Sequence, residues 1–265
     1  MWPATTSLAL LAVSLALAVG CSDAEKRKWK RRTAEQNYAA ALDAGNADIR
    51  RDAVVRIGEA GYYASDEAYA VLDAAARTDP APQVRCIAIR TLGRYGDERP
   101  VRTMLTILMS AGPGGEALAP TDDVRWEAAR ALLELHRGGR LTAQEQDSAC
   151  GLYLQFLRED RSRNVRIVAT QALGAFKERR VLAPLIGALR NEDFMIADTA
   201  ERSLMALTGT THDYDADAWT KWLEATADPF AHAGEPVATT QPAGPSWWDQ
   251  QQRLWRKTFK LGGVD

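Results

Sequence analysis

The sequence predicts an all-α chain, an α-solenoid of about five stacked helix pairs, and three observations carry that expectation. One short motif recurs in register from residue 48 to residue 205. Each copy sets its apolar residues at helical spacing, on one stripe. Ala, Leu and Arg dominate the 265 residues, of which 46% are hydrophobic and only 8% aromatic, a balance that favours helix over strand. A chain of this length also has ample material for a sizeable core.

The motif appears first as Asp48-Ile49-Arg50, followed by Ala53, Ile57, Gly58 and Gly61. The second copy is Gln83-Val84-Arg85 with Ala88, Leu92, Gly93 and Gly96. The third is Asp123-Val124-Arg125 with Ala128, Leu132 and Leu133, and the fourth Asn164-Val165-Arg166 with Ala169, Leu173 and Gly174. A decayed fifth, Ile196-Ala197 with Ala200, Leu204 and Met205, has lost its Arg and Gly. Successive Arg positions are 35, 40 and 41 residues apart, and the fifth copy follows after 31.

Within the second copy Val84, Ile87, Ala88, Thr91, Leu92 and Tyr95 fall on one helical stripe; Val165, Val168, Ala169, Ala172, Leu173 and Phe176 repeat it in the fourth. The Ala admits a close neighbouring helix and the Leu fills the space beyond it. Gly61 and Gly96 are read as helix stops. Partner helices lie between the copies, with stripes Val101, Met104, Leu105, Leu108, then Ala149, Leu152, Tyr153, Phe156, then Leu182, Leu185, Ile186, Leu189. One pair cannot bury its own apolar face, so the pairs must stack.

The pattern of acid or amide, Val/Ile, Arg, Ala, Leu and Gly resembles HEAT repeats, in the bacterial form also seen in phycobilisome lyase-like proteins. The resemblance covers roughly residues 46 to 208. It implies that Arg50, Arg85, Arg125 and Arg166 form a structural ladder between repeats through acidic groups, with Asp48 and Asp123 as candidate partners. The ending Leu207-Thr208-Gly209, Tyr214-Asp215, Trp219 and Trp222 is similar to one that closes the last repeat of bacterial HEAT proteins.

The termini carry different signals. Residues 1–20 read as a signal peptide: an uncharged apolar run from Leu8 to Val19 is too short for a comfortable span but suits a signal core. Ala18-Val19-Gly20-Cys21-Ser22 resembles a bacterial lipobox, which implies lipidation of Cys21; an ordinary secretory signal or a short uncleaved anchor remains open. Residues 21–45 form a basic tether and a first helix. Six Lys/Arg and two acids between Asp23 and Arg32 give +4, leaving −6 on the rest of a chain whose formal charge is −2. The dense cations sit next to the lipid site, where anionic headgroups would attract them, and no basic patch marks the body as a nucleic-acid binder.

The repeat domain is read over 46–225, with a Pro/Ala/Thr-rich linker over 226–246 and an aromatic amphipathic tail over 247–265. In that tail Trp248, Trp255 and Phe259 recur at i, i+7 and i+11 beside Trp247, an apolar stripe that is read as packing back onto the solenoid, lying at a membrane interface or docking with a partner. Two insertions, Gly112 to Thr121 and His136 to Arg140, are candidate binding edges. Asp213, Asp215, Asp217 and Glu224 partly echo a calcium loop, but Ala218 holds the place that needs Gly. Cys86 and Cys150 read as separate core thiols. No phosphate loop, nucleophile elbow, metal spacing or histidine cluster appears, so no catalytic residue, metal or cofactor is assigned.

The functional expectation is a non-catalytic scaffold binding an unidentified envelope protein. It would be membrane-tethered through a lipid anchor, on the periplasmic face of the outer membrane. The alternatives are a lyase-type enzyme on HEAT-like repeats and a peripheral membrane-binding protein.

Overall fold

The computed structural model describes residues 32–42, 45–109, 117–235 and 237. Among the described residues there are eleven helices and no strand, and the fold is all-α, an α-solenoid of helix pairs. The helices are α1 (Ala34–Leu42), α2 (Ala47–Glu59), α3 (Asp66–Thr78), α4 (Pro82–Leu92), α5 (Arg99–Met109), α6 (Asp122–Arg137), α7 (Ala143–Glu159), α8 (Arg163–Leu173), α9 (Arg179–Ala188), α10 (Phe194–Thr208) and α11 (Ala216–Ala225). The chain divides into two compact units, Met1–Leu92 and Gly93–Asp265.

The first unit holds α1 to α4 in two layers, α1 beside α3 and α2 beside α4, with α1 on α2 and α3 on α4 across them. Side-chain caps start its helices: Asn46 accepts the Asp48 N–H and Ser65 the Ala68 N–H, meeting donors that the first turn leaves free. Ala53, Ile57, Leu72, Ala76, Val84, Ala88 and Leu92 are fully buried. Each Ile or Leu among them contributes about 1.5–3 kcal/mol. Ile49, the counterpart of Val84, is 39% exposed, because among the described residues no motif helix precedes α2 to cover it.

In the second unit α6, α8 and α10 form one layer, and α5, α7, α9 and α11 the other. The motif positions of all three front helices close the core: Val124, Ala128, Leu132, Val165, Ala169, Leu173, Ile196, Ala200 and Leu204 have no exposed surface. A capping box opens α7, in which Thr142 and Glu145 satisfy each other's backbone N–H groups. The residues Gly138 to Arg140 lie in the turn between α6 and α7 and close α6. Gly139 takes φ +68, Arg140 N–H reaches Leu135 O at 3.0 Å and Gly139 N–H reaches His136 O at 2.9 Å, the Schellman arrangement.

The expected glycine stops are corrected. Neither Gly61 nor Gly96 has positive φ, and a Cβ at either would meet nothing within 4 Å. The cap after α2 is Ala60 in extended conformation, its N–H returning to Ile57 O. Glycine is required elsewhere: Gly209 ends α10 at φ +68, where a Cβ would lie 2.2 Å from His232 O. The other insertion, Gly112 to Thr121, falls partly outside the described residues. Among those described, no helix is long and apolar enough to cross a membrane.

Candidate interaction surface

Two of the motif arginines end in carboxylate pairs of the same construction, one buried and one partly buried. In the first unit the Nε and Nη2 atoms of Arg50 donate to Asp79 at 2.6 and 2.9 Å, with side-chain exposures of 6% and 4%. Asp79 is the residue that ends α3, and its Oδ1 also accepts the N–H of Ala81, two residues on. In the second unit Arg125 donates to Asp160 at 2.8 and 3.0 Å, Asp160 ends α7, and its Oδ1 accepts the Ser162 N–H. One carboxylate therefore fixes the turn and ties the front helix to the far end of its partner helix. The bond to Asp160 holds the Arg125 guanidinium above its usual pKa.

The partners are not Asp48 and Asp123. Two residues before the Arg on the same helix, those carboxylates do not face it. Asp48 instead lies exposed beside Arg51 at 3.2 Å, and Asp123 is exposed. Asp79 and Asp160 did have a sequence signal: each stands six residues before the next motif Arg. Arg85 and Arg166 lack that acid, the matching places being Ala119 and Asn191. Arg85 donates to Ala76 O at 3.0 Å, and burial pulls its guanidinium below the usual value. Arg166 keeps a buried Nε without a hydrogen-bond partner. Its neighbour Arg163 holds Asp193 at the surface instead, through the N-cap carboxylate of α10.

The second unit closes on a polar knot that the sequence did not reveal. Glu201, 3% exposed on α10, accepts the indole N–H of Trp219 at 2.8 Å and the hydroxyl of Thr211 at 2.6 Å. Trp219 is fully buried, with His212 and Trp222 both edge-on against it. Tyr214 donates to Asp198 at 2.9 Å. Asp213 and Tyr214 both take positive φ to carry the chain round this knot. The turns that follow also pack on: Pro229 is buried, and the Gly234 N–H reaches Ala206 O at 3.1 Å. The Asp213 to Glu224 stretch is a helix start: Asp215 caps the N–H groups of Asp217 and Ala218, and Asp217 pairs with Arg190.

One accessible groove of the second unit lies on its front layer. Along α8, Ile167, Gln171, Gly174 and Ala175 face Met195, Thr199, Ser203 and Ala206 of α10, bounding a groove of about 470 Å³. The first row runs at i, i+4, i+7, i+8 and the second at i, i+4, i+8, i+11, and small residues hold the helices close: a Cβ at Gly174 would lie 2.7 Å from Ser203 Oγ. At the start of α10 the groove opens beside large exposed apolar side chains, Phe194 at 66%, Met195 at 43% and Tyr214 at 44%. The rings of Phe194 and Tyr214 are 6.3 Å apart, so they form one patch.

No group of three or more His, Cys, Asp or Glu that could hold a metal occurs among the described residues. The histidines stand apart: His136 stacks on Phe176 at 4.2 Å, and His232 faces Glu235. Cys150 is a free cysteine. Burial pushes the Cys150 thiol up to about 11, so it is protonated and inert at neutral pH. The remaining sequence-predicted residues, Cys21, Trp247, Trp248, Trp255 and Phe259, lie outside the described residues.

Two layers of antiparallel-paired helices with a repeated Arg and a repeated Val-Ala-Leu stripe define an all-α repeat protein. Residues 152–230, from within α7 to the turns after α11, match the family model of HEAT repeats. No curated protein matches the chain. Over that stretch the chain is similar to HEAT repeats.

Proposed function

We propose that the chain is a lipid-tethered HEAT-repeat scaffold that binds another protein in the bacterial cell envelope and performs no chemistry of its own. The observation that carries the reading is the patch of Phe194, Met195 and Tyr214. Three large apolar side chains left together in water on a folded unit mark an interaction site. The repeats supply the rest of the logic, since stacked pairs present extended surface while their titratable groups are spent on internal links. The tether rests on Cys21 after the apolar run, and on the six cations that follow it. The likeness of the motif to phycobilisome lyase-like repeats supports a shared repeat surface.

Cell fractionation of the full chain and of Cys21→Ser tests the tether. Release of the variant from membranes is the expected result, and unchanged membrane binding would refute lipidation. A photo-crosslinking amino acid at Phe194 tests the surface. It should capture one envelope protein in living cells, with capture reduced by Tyr214→Ala. Failure to trap any protein there, with the chain folded, would sink the scaffold reading.

A further inference from the structure

The α8–α10 groove has two chemically different ends. At the Met195 end it opens on Phe194 and Tyr214, whose rings form one apolar patch. Toward the other end, the charged residues among the described lining are Arg137 and Arg202, both cations. Outside residues 23–32 the chain is acidic in sum, so a cationic lining is a local feature and not a property of the whole surface. We infer, resting on the scaffold reading, that the partner docks here through an acidic segment. Its apolar side chains cover Phe194, Met195 and Tyr214, and its carboxylates meet Arg202 and Arg137.

The two cations are placed by the packing of the front layer. Ser203 donates to Thr170 O at 3.0 Å, which sets its neighbour Arg202 level with the C-terminal half of α8. His136 meets Ala175 O at 3.2 Å, which brings Arg137 to the end of the same helix. Arg202 stands seven residues after Met195 on α10, about 10 Å at 1.5 Å per residue. A segment laid along the groove as a helix therefore carries its apolar anchor and its carboxylate two turns apart, at i and i+7. Both arginines have internal partners. Arg202 rests on Asp198 at 2.9 Å, but Asp198 is 11% exposed and Arg202 76%, so the carboxylate lies beneath and the guanidinium faces out. Arg137 holds Glu134 at 3.0 Å, at the surface. A guanidinium carries five N–H donors, so neither contact exhausts it, and a further carboxylate adds charge-assisted hydrogen bonds. Gln171 and Thr199 lie between the two ends, and their polar groups suit a peptide rather than an acyl chain.

A photo-crosslinking amino acid is placed at Phe194 and, separately, at Thr199 of the full chain, activated in living cells, and the trapped peptides are sequenced. Both positions should trap one protein, through a segment richer in Asp and Glu than in Lys and Arg. Arg137→Glu with Arg202→Glu should lower the yield at 199 severalfold, while Arg137→Lys with Arg202→Lys should keep most of it. Thermal melts check that both double variants fold. The trapped segment, made as a labelled peptide, should bind the purified full chain more weakly as salt rises. Exchanging its carboxylates for Lys should restore binding to the Glu variant. An empty result at 194 removes the scaffold reading and this inference with it. Capture at 194 through a neutral or basic segment, or with a yield that the Glu variant leaves unchanged, overturns the inference alone. So does a residue 199 that traps only lipid, a second copy of this chain, or nothing.

Discussion

The third and fourth repeats of the second unit are built on one plan, yet they solve the same electrostatic problem differently. In the third, Arg125 forks onto the partly buried Asp160, which also closes the turn to Ser162. In the fourth, Asn191 stands in the matching place and makes the matching turn, accepting the Asp193 N–H at 3.0 Å. An amide cannot supply the second charged oxygen that a guanidinium fork takes. Arg166 is accordingly left with a buried, unpartnered Nε. The carboxylate of that repeat has moved outward to Asp193, where Arg163 holds it in water. The comparison teaches that the turn and the interhelix link are separable roles: Asn preserves the first and forfeits the second.

The sharpest way to break the contrast is to remove the acid that does both. Asp160→Ala takes from the partly buried Arg125 guanidinium its two-pronged carboxylate, leaving it Asp122 and Pro120 O, and should cost about 2–3 kcal/mol, the loss of charge-assisted hydrogen bonds. Asn191→Ala removes only a turn bond and should cost about 1 kcal/mol. Urea unfolding of both variants measures the gap; equal losses would mean that Asp160 matters for its turn alone.

Next in size is the knot that ends the stack. Trp219→Phe keeps most of the buried ring but leaves Glu201 short of the indole donor, in a place water does not reach. A loss of about 1–3 kcal/mol is expected, the cost of an unsatisfied buried acceptor. Adding Glu201→Gln should then restore little, because the defect is the missing donor and not the charge. Thermal melts of the two single variants and the double read this directly.

These sites mark how far the sequence could be read. The helix stripes were legible because burial in a stacked pair demands Val, Ala and Leu at fixed spacing, and those residues are the fully buried ones. The arginines were legible by recurrence, but their partners were sought on the same helix. They lie 29 and 35 residues away, where the partner helix ends, although the recurrence of Asp six places before the next Arg pointed there. Glycine was misjudged for a related reason. A repeated Gly suggests a turn, yet Gly61 and Gly96 need none of its freedom. The groove and the Glu201 knot left no trace in a linear pattern, since both are made by helices meeting across tens of residues.

Gly174 and Gly187 extend the comparison to backbone. Gly174 ends α8 where Ser203 presses close, so Gly174→Ala must push α10 away and should lose about 1–3 kcal/mol. Gly187 sits inside α9 with open space around it, and Gly187→Ala should gain about 0.5–1 kcal/mol through helix propensity alone. Opposite signs at two helix glycines of neighbouring elements are the outcome to look for in denaturant midpoints. A smaller change completes the fourth link: Asn191→Asp should stabilise by about 1 kcal/mol if it reaches Arg166 as Asp160 reaches Arg125.

The smallest effect separates the surface pair from the buried one by pH. The hydrogen bond from Arg163, then the amides of Met195 and Ile196 at the start of α10, hold the Asp193 carboxyl below its ordinary value against the cost of partial burial. A carboxyl whose folded pKa is depressed binds protons more weakly folded than unfolded. Its contribution is therefore complete above the ordinary aspartate value, about pH 4, and disappears as pH falls through the lower folded value. The stability difference between the parent and Arg163→Ala should stay level from neutral pH down to about 5 and shrink below it. Added salt should shrink the same difference at neutral pH, because water reaches this pair, and should leave the Asp160→Ala loss nearly unchanged. A salt response shared by both variants would show that Arg125 and Asp160 are solvated, and the division between a buried link and a surface link would fall.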